Sequence, residues 1–389
     1  MLIIYRGCIM INRLNKKGVI SISVIYSFFL IFCLLLVLIL TTYTNNRINF
    51  KMLKNDIKKK YISSEEISTS LIGSKIDTTL MPYTDDDIAR TYYYNGNVIN
   101  NYIKFGKYTK DMYINNNTLY DECPSGETCT KIASAGEDML WRIIRVNGDR
   151  SIRLIYDGTI GNSSFNTSYN DAIYVGYKYS FNINHGSNNN STIKDYLNTW
   201  YNNYLNKTKY EKYIVGSIFC TNRNAYSDPN SDPNITNTDD GYGTSTQYFE
   251  NYNKDNITDL KCSNSEDKFY INSSSNSNGK PDYPIGLLSY EEAVLMGLNR
   301  NNDNTSSFLT NGNDYWTLTP SHYNGGAYNY YISSKGRLLN DKTVSNSLAV
   351  RPVISISANT PVIGEGTQNN PYTFSLGGKF NSICLGDEI

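Results

Sequence analysis

This chain of 389 residues has few histidines and no formal net charge. His185 and His322 are its two histidines, and 36 basic side chains balance 36 acidic ones, so the formal net charge is zero. A nucleic-acid-binding protein usually carries a basic patch or stripe, and this balance predicts no such partner. Two histidines and the lack of a C-x-x-C pair also remove the usual ligand spacing of a zinc site. We therefore expect no metal and no cofactor.

Long hydrophobic runs are absent as well, with one exception at residues 19–40. That run contains no charged residue, glycine or proline, and it matches the roughly 20 apolar residues that a helix needs to cross a bilayer. A signal peptide would have a shorter apolar core and a small-residue cleavage site, which the following TTYTNNR lacks. We predict an uncleaved transmembrane helix at 19–42, preceded by a basic cytoplasmic tip at 1–18.

The residues before this span support a second interpretation. The motif NKKG, which ends at Gly18 and leads directly into the apolar run, resembles the N-terminus of type IV pilin-like proteins. In those proteins the chain is cut after the glycine, the helix packs into a filament, and a glutamate usually lies five residues past the cut. Ser23 occupies that position here. The resemblance implies cleavage between Gly18 and Val19 and a structural role, which we keep as an alternative.

Flanking charge and cysteine content give different indications of the orientation in the membrane. Basic residues are more numerous just after the span than before it, and charge alone would place the C-terminal side in the cytoplasm. Long domains, however, translocate largely regardless of flanking charge. The cysteines are therefore the better guide to orientation.

Most of the seven cysteines follow the predicted span. Cys123 and Cys129 flank a Pro-Ser-Gly turn sequence, and Cys220 and Cys262 each end a short apolar run. We predict two disulfides from these four residues, with a zinc site as the alternative. Disulfides persist on the oxidising side of a membrane, so we expect the C-terminal part to be extracytoplasmic. Cys384 is left without a predicted partner.

The polar part of the chain divides into segments of different pattern. Residues 43–70 carry apolar residues at helical spacing with lysines on the other face, which predicts a helical stalk. Residues 71–115 are a linker or early strands, 116–375 a globular domain, and 376–389 a tail.

The globular part predicts an α+β fold with short strands, two helices and long loops. Apolar runs at 139–146 and 151–156 joined at Asn147-Gly148 indicate a β-hairpin. Ser191 is the predicted N-cap of a helix at 191–201. Ser289 and Glu292 form a predicted capping box at the start of a helix at 289–297. Further strands are predicted at 314–318, 327–332 and 348–356, with a turn at 334–337.

Few residues of the sequence are candidates for catalysis or metal binding. Ser321 and His322 are adjacent in sequence, and we expect adjacent side chains to point apart, so the pair does not predict a catalytic dyad. Glu292 is interpreted as a favourable charge at a helix N-terminus. Oxygen-bearing side chains at Asp228, Asn230 and Asp232 alternate as in calcium loops. Because a proline replaces the expected glycine and no glutamate closes the loop, an ordinary turn is the favoured interpretation.

Several motifs of this region occur in the same order in a known family: WRIIRVNGDRSIRLIYDGTIG (141–161), STIKDYLNTWYNNYL (191–205), YPIGLLSYEEA (283–293), YWTLTPS (315–321) and GRLLNDKTVSNSLAVRPVISI (336–356). Over 116–375 the chain resembles a domain of unknown function found in bacterial surface proteins of Gram-positive type. The closing YWT-x-TPS and V-R-P-V pattern is similar to formylglycine-generating-enzyme-like and C-type-lectin-like folds. The enzymes among these need cysteines in the late sequence, and 316–356 contains none.

The resemblance implies a C-type-lectin-like extracytoplasmic domain without enzymatic activity. We predict Trp141, Trp200, Trp316 and Arg351 as core residues, with Arg351 paired to an acid or to backbone carbonyls. The expected function is a single-pass, membrane-anchored surface module for binding or adhesion. Its ligand would be a glycan or a protein, contacted by exposed Tyr and Trp on long loops. A pilin-like filament subunit is the first alternative and a cell-surface enzyme the second.

Overall fold

The computed structural model describes part of the chain, within the compact unit Asp56–Ile389. The described residues are 82–116, 118–149, 151–180, 189–221, 260–262, 265–270, 281–323, 325–357, 360 and 362–374. The predicted tip, transmembrane helix, stalk and C-terminal tail lie outside them. Among the described residues, no helix is both long enough and apolar enough to span a bilayer.

The described part of the chain is rich in strands and has two α-helices, as the sequence predicts. The α-helices are α1 (Thr192–Tyr204) and α2 (Tyr290–Leu295), and short 3-10 helices lie at Ala172–Val175, Glu211–Tyr213 and Ser265–Asp267. The strands are β1 (Tyr83–Asp85), β2 (Arg90–Tyr93), β3 (Tyr102–Lys107), β4 (Met112–Asn115), β5 (Thr118–Tyr120), β6 (Thr130–Ala133), β7 (Asp138–Val146), β8 (Ile152–Tyr156), β9 (Asn162–Ser164), β10 (Lys178–Tyr179), β11 (Asn189–Asn190), β12 (Ile214–Val215), β13 (Phe219–Cys220), β14 (Lys268–Phe269), β15 (Ile285–Gly286), β16 (Tyr315–Tyr323), β17 (Ala327–Ile332), β18 (Leu338–Leu339), β19 (Ser347–Ala349), β20 (Val353–Ile356), β21 (Val362–Ile363) and β22 (Tyr372–Phe374).

The larger sheet has ten strands, in the order β12-β20-β8-β7-β3-β22-β21, with β1, β2 and β15 attached beside this path. Most neighbours are antiparallel, but β22 runs parallel to β3. Strands β2 and β3 both pair with the central strand β7. The segment 71–115, for which the sequence leaves a linker or strands open, therefore contributes strands to this sheet.

The predicted hairpin is confirmed as β7 and β8, which pair antiparallel. Its loop is longer than the two residues Asn147-Gly148, because the Asn147 amide donates to the Ser151 carbonyl at 2.9 Å. A Cβ built on Gly148 would lie 2.1 Å from Asp86 Oδ1 and 2.6 Å from the amide nitrogen of Ala89. The Gly148 amide also donates to Asp86 Oδ2 at 2.7 Å. Glycine is needed here because the turn after β1 lies directly against the loop, leaving no room for a side chain.

The second sheet has five strands, in the order β18-β17-β16-β19-β9. The single strand predicted at 348–356 is wrong, because the chain forms β19 in this sheet and then β20 in the ten-stranded sheet. The crossing occurs at Arg351 and Pro352. Pro352 has no backbone N–H to continue a ladder, although its carbonyl accepts from the Tyr156 amide at 2.9 Å. The two sheets are thus joined covalently at this point.

Both predicted helix starts are confirmed. The Ser191 hydroxyl accepts from the Lys194 amide at the start of α1, and Ser289 and Glu292 form a reciprocal capping box at the start of α2. Helix α1 buries Trp200, whose ring lies 6.2 Å from Trp141 and 6.1 Å from Tyr156 in edge-to-face contacts. These aromatic contacts connect α1 to strands β7 and β8 and form the core of that layer.

Arg351 is 1% exposed. Its Nε donates to the Tyr156 carbonyl at 3.0 Å, its Nη1 donates to the Leu309 carbonyl, and its guanidinium lies 4.7 Å from the centre of the Tyr315 ring. Of the two predicted kinds of partner, the structure provides backbone carbonyls. The guanidinium therefore connects β8 and the loop before β16 at the crossing between the sheets.

Candidate functional site

The predicted disulfides are confirmed. Cys123 is bonded to Cys129, six residues away, and Cys220 to Cys262, 42 residues away. These cysteines are therefore not zinc ligands. The described residues contain no group of three His, Cys, Asp or Glu side chains suited to a metal ion. The weak calcium candidates Asp228, Asn230 and Asp232 lie outside the described residues, as do His185 and Cys384.

A buried ionic cluster connects α2 to strands β7 and β8 and to the turn after β1. We define the arginine–glutamate cluster as Asp86, Arg145, Arg153 and Glu292. Glu292 Oε1 lies 2.9 Å from Arg145 Nε and 2.6 Å from Arg153 Nε. Arg145 Nη1 also lies 3.2 Å from Asp86 Oδ2. The Glu292 carboxylate thus pairs with two buried guanidiniums, and the Asp86 carboxylate connects one of them, that of Arg145, to the turn after β1.

Burial and neighbouring charges shift the pKa values of Glu292 and Arg153 in opposite directions. Burial raises the pKa of Glu292, but the charges of Arg153 and Arg145 together with the Ser289 amide outweigh burial, so this pKa lies below its ordinary value. Burial lowers the pKa of Arg153 to about 10, although Glu292 partly offsets the effect. Glu292 and Arg153 are therefore both charged at neutral pH.

The arginine–glutamate cluster lines a small cleft together with Asn147 and Cys220. The cleft has a cavity volume of about 40 Å³. One water occupies roughly 10–15 Å³ on this measure. The cleft therefore has room for a few waters. Sequence reasoning identified Glu292 as a capping residue but not its two arginine partners, because these come from distant strands.

Ser321 and His322 contradict the expectation that their side chains point apart. Ser321 Oγ lies 2.8 Å from His322 Nδ1, and Asn340 Nδ2 donates to the same hydroxyl at 2.8 Å. The pairing of β16 with β17 shifts register between Pro320 and His322, and such a bulge places neighbouring side chains on one side. Ser321 is 1% exposed, which limits the access of a substrate to its hydroxyl.

The surface beside this bulge is aromatic. We define the tyrosine face as Tyr169, His322, Tyr323 and Tyr328. The His322 and Tyr328 rings stack with centroids 4.6 Å apart and an angle of 1° between their planes. A Cβ built on Gly326 would lie 3.4 Å from Tyr169 Cδ2 and 3.6 Å from Tyr328 Cε2, so both rings flank the same glycine.

Hydrogen bonds to two backbone carbonyls hold the tyrosine face together. The Tyr169 carbonyl accepts from the Ala327 amide at 2.8 Å, and the Tyr323 hydroxyl donates to the Asn170 carbonyl at 3.1 Å. These bonds fix the loop after β9 to the turn between β16 and β17. Tyr169 is 47% exposed, so its ring is available to a ligand.

The exposed Tyr and Trp expected at the contact surface are only partly present. Trp141, Trp200 and Trp316 are all 0% exposed. Trp316 Nε1 donates to the Ser163 carbonyl at 3.0 Å, within the five-stranded sheet. All three indoles fill the core, which is also the position predicted for them, so none of them is an exposed contact residue. Tyrosine supplies the exposed rings.

Acid is expected to destabilise the fold through His322. Burial, with Arg300 nearby, lowers the pKa of His322 from 6.5 to about 4. The unfolded chain therefore binds this proton at a higher pH than the folded chain does. The stabilising effect of neutral His322 is complete above about pH 6.5 and is lost as the pH falls toward 4.

Urea unfolding at several pH values measures this loss. The variant His322→Phe keeps a flat ring against Tyr328, and we expect its unfolding free energy to change less between about pH 6.5 and 4 than that of the unmodified chain. The depressed pKa of carboxylates such as Glu292 and Asp282 places their effect at lower pH. An equally steep dependence in the variant would rule out His322 as the cause.

Comparison with protein families, with curated proteins and with solved structures finds no match for this chain.

Proposed function

We propose that this chain is a membrane-anchored, non-enzymatic binding or adhesion module of a bacterial cell surface. Residues 19–42 would anchor it, and a C-type-lectin-like domain would lie outside the membrane with a glycan or a protein as ligand. The tyrosine face is the observation that carries this proposal. It presents an exposed ring at Tyr169, and aromatic side chains of this kind are enriched at binding surfaces because one end is apolar and the other polar.

The two disulfides support the extracytoplasmic location. Such bonds persist in oxidising compartments and are rare in the cytosol. The bond between Cys220 and Cys262 closes a loop with a sequence separation of 42. Such a bond stabilises the folded state by restricting the unfolded chain. The apolar run at 19–40 then requires the domain to lie across the membrane from the basic tip.

Each alternative rests on one feature. The enzyme hypothesis rests on the hydrogen bond between Ser321 and His322, but the serine is buried and its hydroxyl already accepts from Asn340. The pilin-like hypothesis rests on the NKKG motif that ends at Gly18. An intact-mass measurement of the mature protein distinguishes cleavage after Gly18 from an uncleaved anchor.

Binding to cell surfaces tests the proposal directly. The full chain is reconstituted in lipid nanodiscs and its retention on immobilised bacterial and epithelial cell surfaces is measured. We expect Tyr169→Ala to weaken retention by about tenfold or more, as removal of a central aromatic contact does. Tyr83→Ala is the matched control, because Tyr83 is 59% exposed and lies on β1 of the other sheet.

Two results would contradict the proposal. One is that the folded, reconstituted chain is not retained on any of these surfaces. The other is equal retention of Tyr169→Ala and Tyr83→Ala, which would show that the tyrosine face is not the contact surface.

A further inference from the structure

We propose that an exposed, lysine-rich turn of the domain docks on the headgroups of anionic phospholipids in the bilayer that anchors the chain. We define the lysine turn as residues 207–213, whose cations are Lys207, Lys209 and Lys212. This contact presupposes the proposed anchor at residues 19–42 and gives the chain a second attachment to the membrane. Its support comes from the unpaired charge of the turn, its fixed backbone and the aromatic rings beneath it.

The lysines of this turn lack the acidic partners that lysines have elsewhere. Nine other lysines in the described part of the chain each lie within 3.8 Å of an aspartate oxygen. Lys207, Lys209 and Lys212 are exposed, and none of them forms a salt bridge with a described residue. The acid within the turn, Glu211, accepts from the Lys207 amide at 2.7 Å. The turn therefore presents an excess of positive charge to solvent.

The backbone of the turn is fixed in a conformation that suits lysine poorly. Lys207 has φ 58°, in the left-handed region that glycine adopts at lower cost than a residue with a long side chain. Besides the bond to Glu211, the Thr208 hydroxyl donates to the Leu205 carbonyl at 2.6 Å. A strained residue that its surroundings hold in place is a sign of function, and a lysine at this position points to a use of its charge.

Aromatic rings form the base of the lysine turn. The Phe374 ring lies 4.9 Å from that of Tyr210 and 5.2 Å from that of Tyr213. Lys209 Nζ lies 5.2 Å from the Tyr210 centroid, and Lys212 Nζ lies 5.0 Å from the Tyr213 centroid. Tyr213 and Phe374 are partly exposed. Lysine stems on aromatic rings suit a membrane interface, where rings lie at headgroup level and ammonium groups reach the phosphates.

The cations of the turn match a diffuse anionic surface better than a single bound anion. The turn contains lysines and no arginine, so it offers point charges without the planar fork that grips one phosphate or carboxylate. Each lysine near an anionic bilayer raises affinity about fivefold, which corresponds to about 1 kcal/mol. Tethering by the anchor makes such a weak contact effective, because it raises the local concentration of the domain at the bilayer.

Lysine acylation followed by mass spectrometry tests this contact on the full chain. The chain is reconstituted in nanodiscs of phosphatidylcholine and in nanodiscs of an equal mixture with phosphatidylglycerol. We expect Lys207, Lys209 and Lys212 to react about fivefold more slowly in the anionic discs. Lys335, whose side chain is 71% exposed, is the internal control and should react equally in both. Protection should vanish at about 1 M salt, where the Debye length falls to about 3 Å.

Removal of the three charges provides the second measurement. Amide hydrogen exchange over residues 205–213 should be slower in anionic than in neutral discs for the unmodified chain. The variant Lys207→Gln/Lys209→Gln/Lys212→Gln should lose this difference. The matched control Lys110→Gln/Lys131→Gln/Lys335→Gln removes the same charge from lysines that already pair with aspartates, and it should keep the difference.

The remaining outcomes separate this contact from the proposed function. Equal acylation of the three lysines in both discs, by a chain that co-elutes with them, would overturn the lipid contact and leave the anchor and the binding function standing. Protection by soluble inositol hexakisphosphate in neutral discs, with none from anionic lipid, would identify a free phosphate as the partner and overturn it too. Failure to co-elute with either disc would remove the proposed anchor and this contact together.

Discussion

Replacement of Glu292 by glutamine is expected to lower the free energy of unfolding by roughly 3–5 kcal/mol. Glu292 is 2% exposed, and its Oε1 faces both Arg145 and Arg153. Glutamine has nearly the same shape but no charge. It leaves two guanidiniums buried, with Asp86 as the one remaining carboxylate of the cluster, and an uncompensated buried charge is far more costly than a lost surface pair.

Urea unfolding followed by tryptophan fluorescence measures this loss, because all three tryptophans are 0% exposed in the folded domain. Glu127→Gln is the matched control. Glu127 is exposed and its carboxylate accepts a hydrogen bond from Asn115 Nδ2, so we expect a change within about 0.5 kcal/mol. Equal stability of the two variants would show that the arginine–glutamate cluster does not hold α2 to the sheet.

Loss of the Cys220–Cys262 disulfide in the double variant Cys220→Ser/Cys262→Ser is expected to cost about 4 kcal/mol. The bond closes a loop with a sequence separation of 42, and the chain-entropy model gives about 3 kcal/mol for 15 residues and about 4.7 kcal/mol for 100. Both cysteines of this bond also lie against other parts of the described fold. The Cys262 amide donates to Asp87 Oδ2 at 3.2 Å, and Cys220 lines the cleft of the arginine–glutamate cluster.

The second disulfide provides the comparison for this prediction. Cys123 and Cys129 close a much shorter loop with a separation of six, so the same model gives a smaller loss, about 2 kcal/mol, for their double serine variant. Unfolding curves of both variants, with the unmodified, oxidised chain as reference, measure the two losses. A Cys220→Ser/Cys262→Ser variant that loses less stability than the short-loop variant would contradict this account.

Features encoded by neighbouring residues were predictable from the sequence. The hairpin of β7 and β8 follows from two apolar runs around a turn, and the N-caps Ser191 and Ser289 follow from local spacing. The disulfide pairs could be proposed because each cysteine lies at a turn or at the end of an apolar run. In each case, the signal lies within a few residues of the feature it predicts.

Features that depend on distant contacts were missed or mistaken. Nothing local indicates that β19 and β20 belong to different sheets, because both are apolar and only the crossing at Pro352 separates them. Arg145 on β7 lies 147 residues before Glu292, and Arg153 on β8 is almost as far away. No local sequence pattern therefore predicts that these arginines pair with Glu292. The contact between Ser321 and His322 depends on a bulge that the pairing of β16 with β17 creates.

The tyrosine face shows the same limit. Tyrosine is abundant, with 35 residues in the chain, and composition cannot tell which rings stay exposed. Tyr169 and Tyr328 become neighbours because the loop after β9 bonds to the start of β17. The three tryptophans, by contrast, are all buried, as predicted for core residues, because their larger apolar area makes burial more favourable.

Labelling of intact cells with a membrane-impermeant maleimide tests the central claim most directly. The chain carries Cys8→Ser, Cys33→Ser and Cys384→Ser, so that only the disulfide cysteines can react. We predict no labelling without reductant and strong labelling after its addition, which would place a disulfide-bonded domain outside the membrane. Labelling only after lysis and without reductant would place the domain in the cytoplasm with free thiols, and would contradict the surface-binding account.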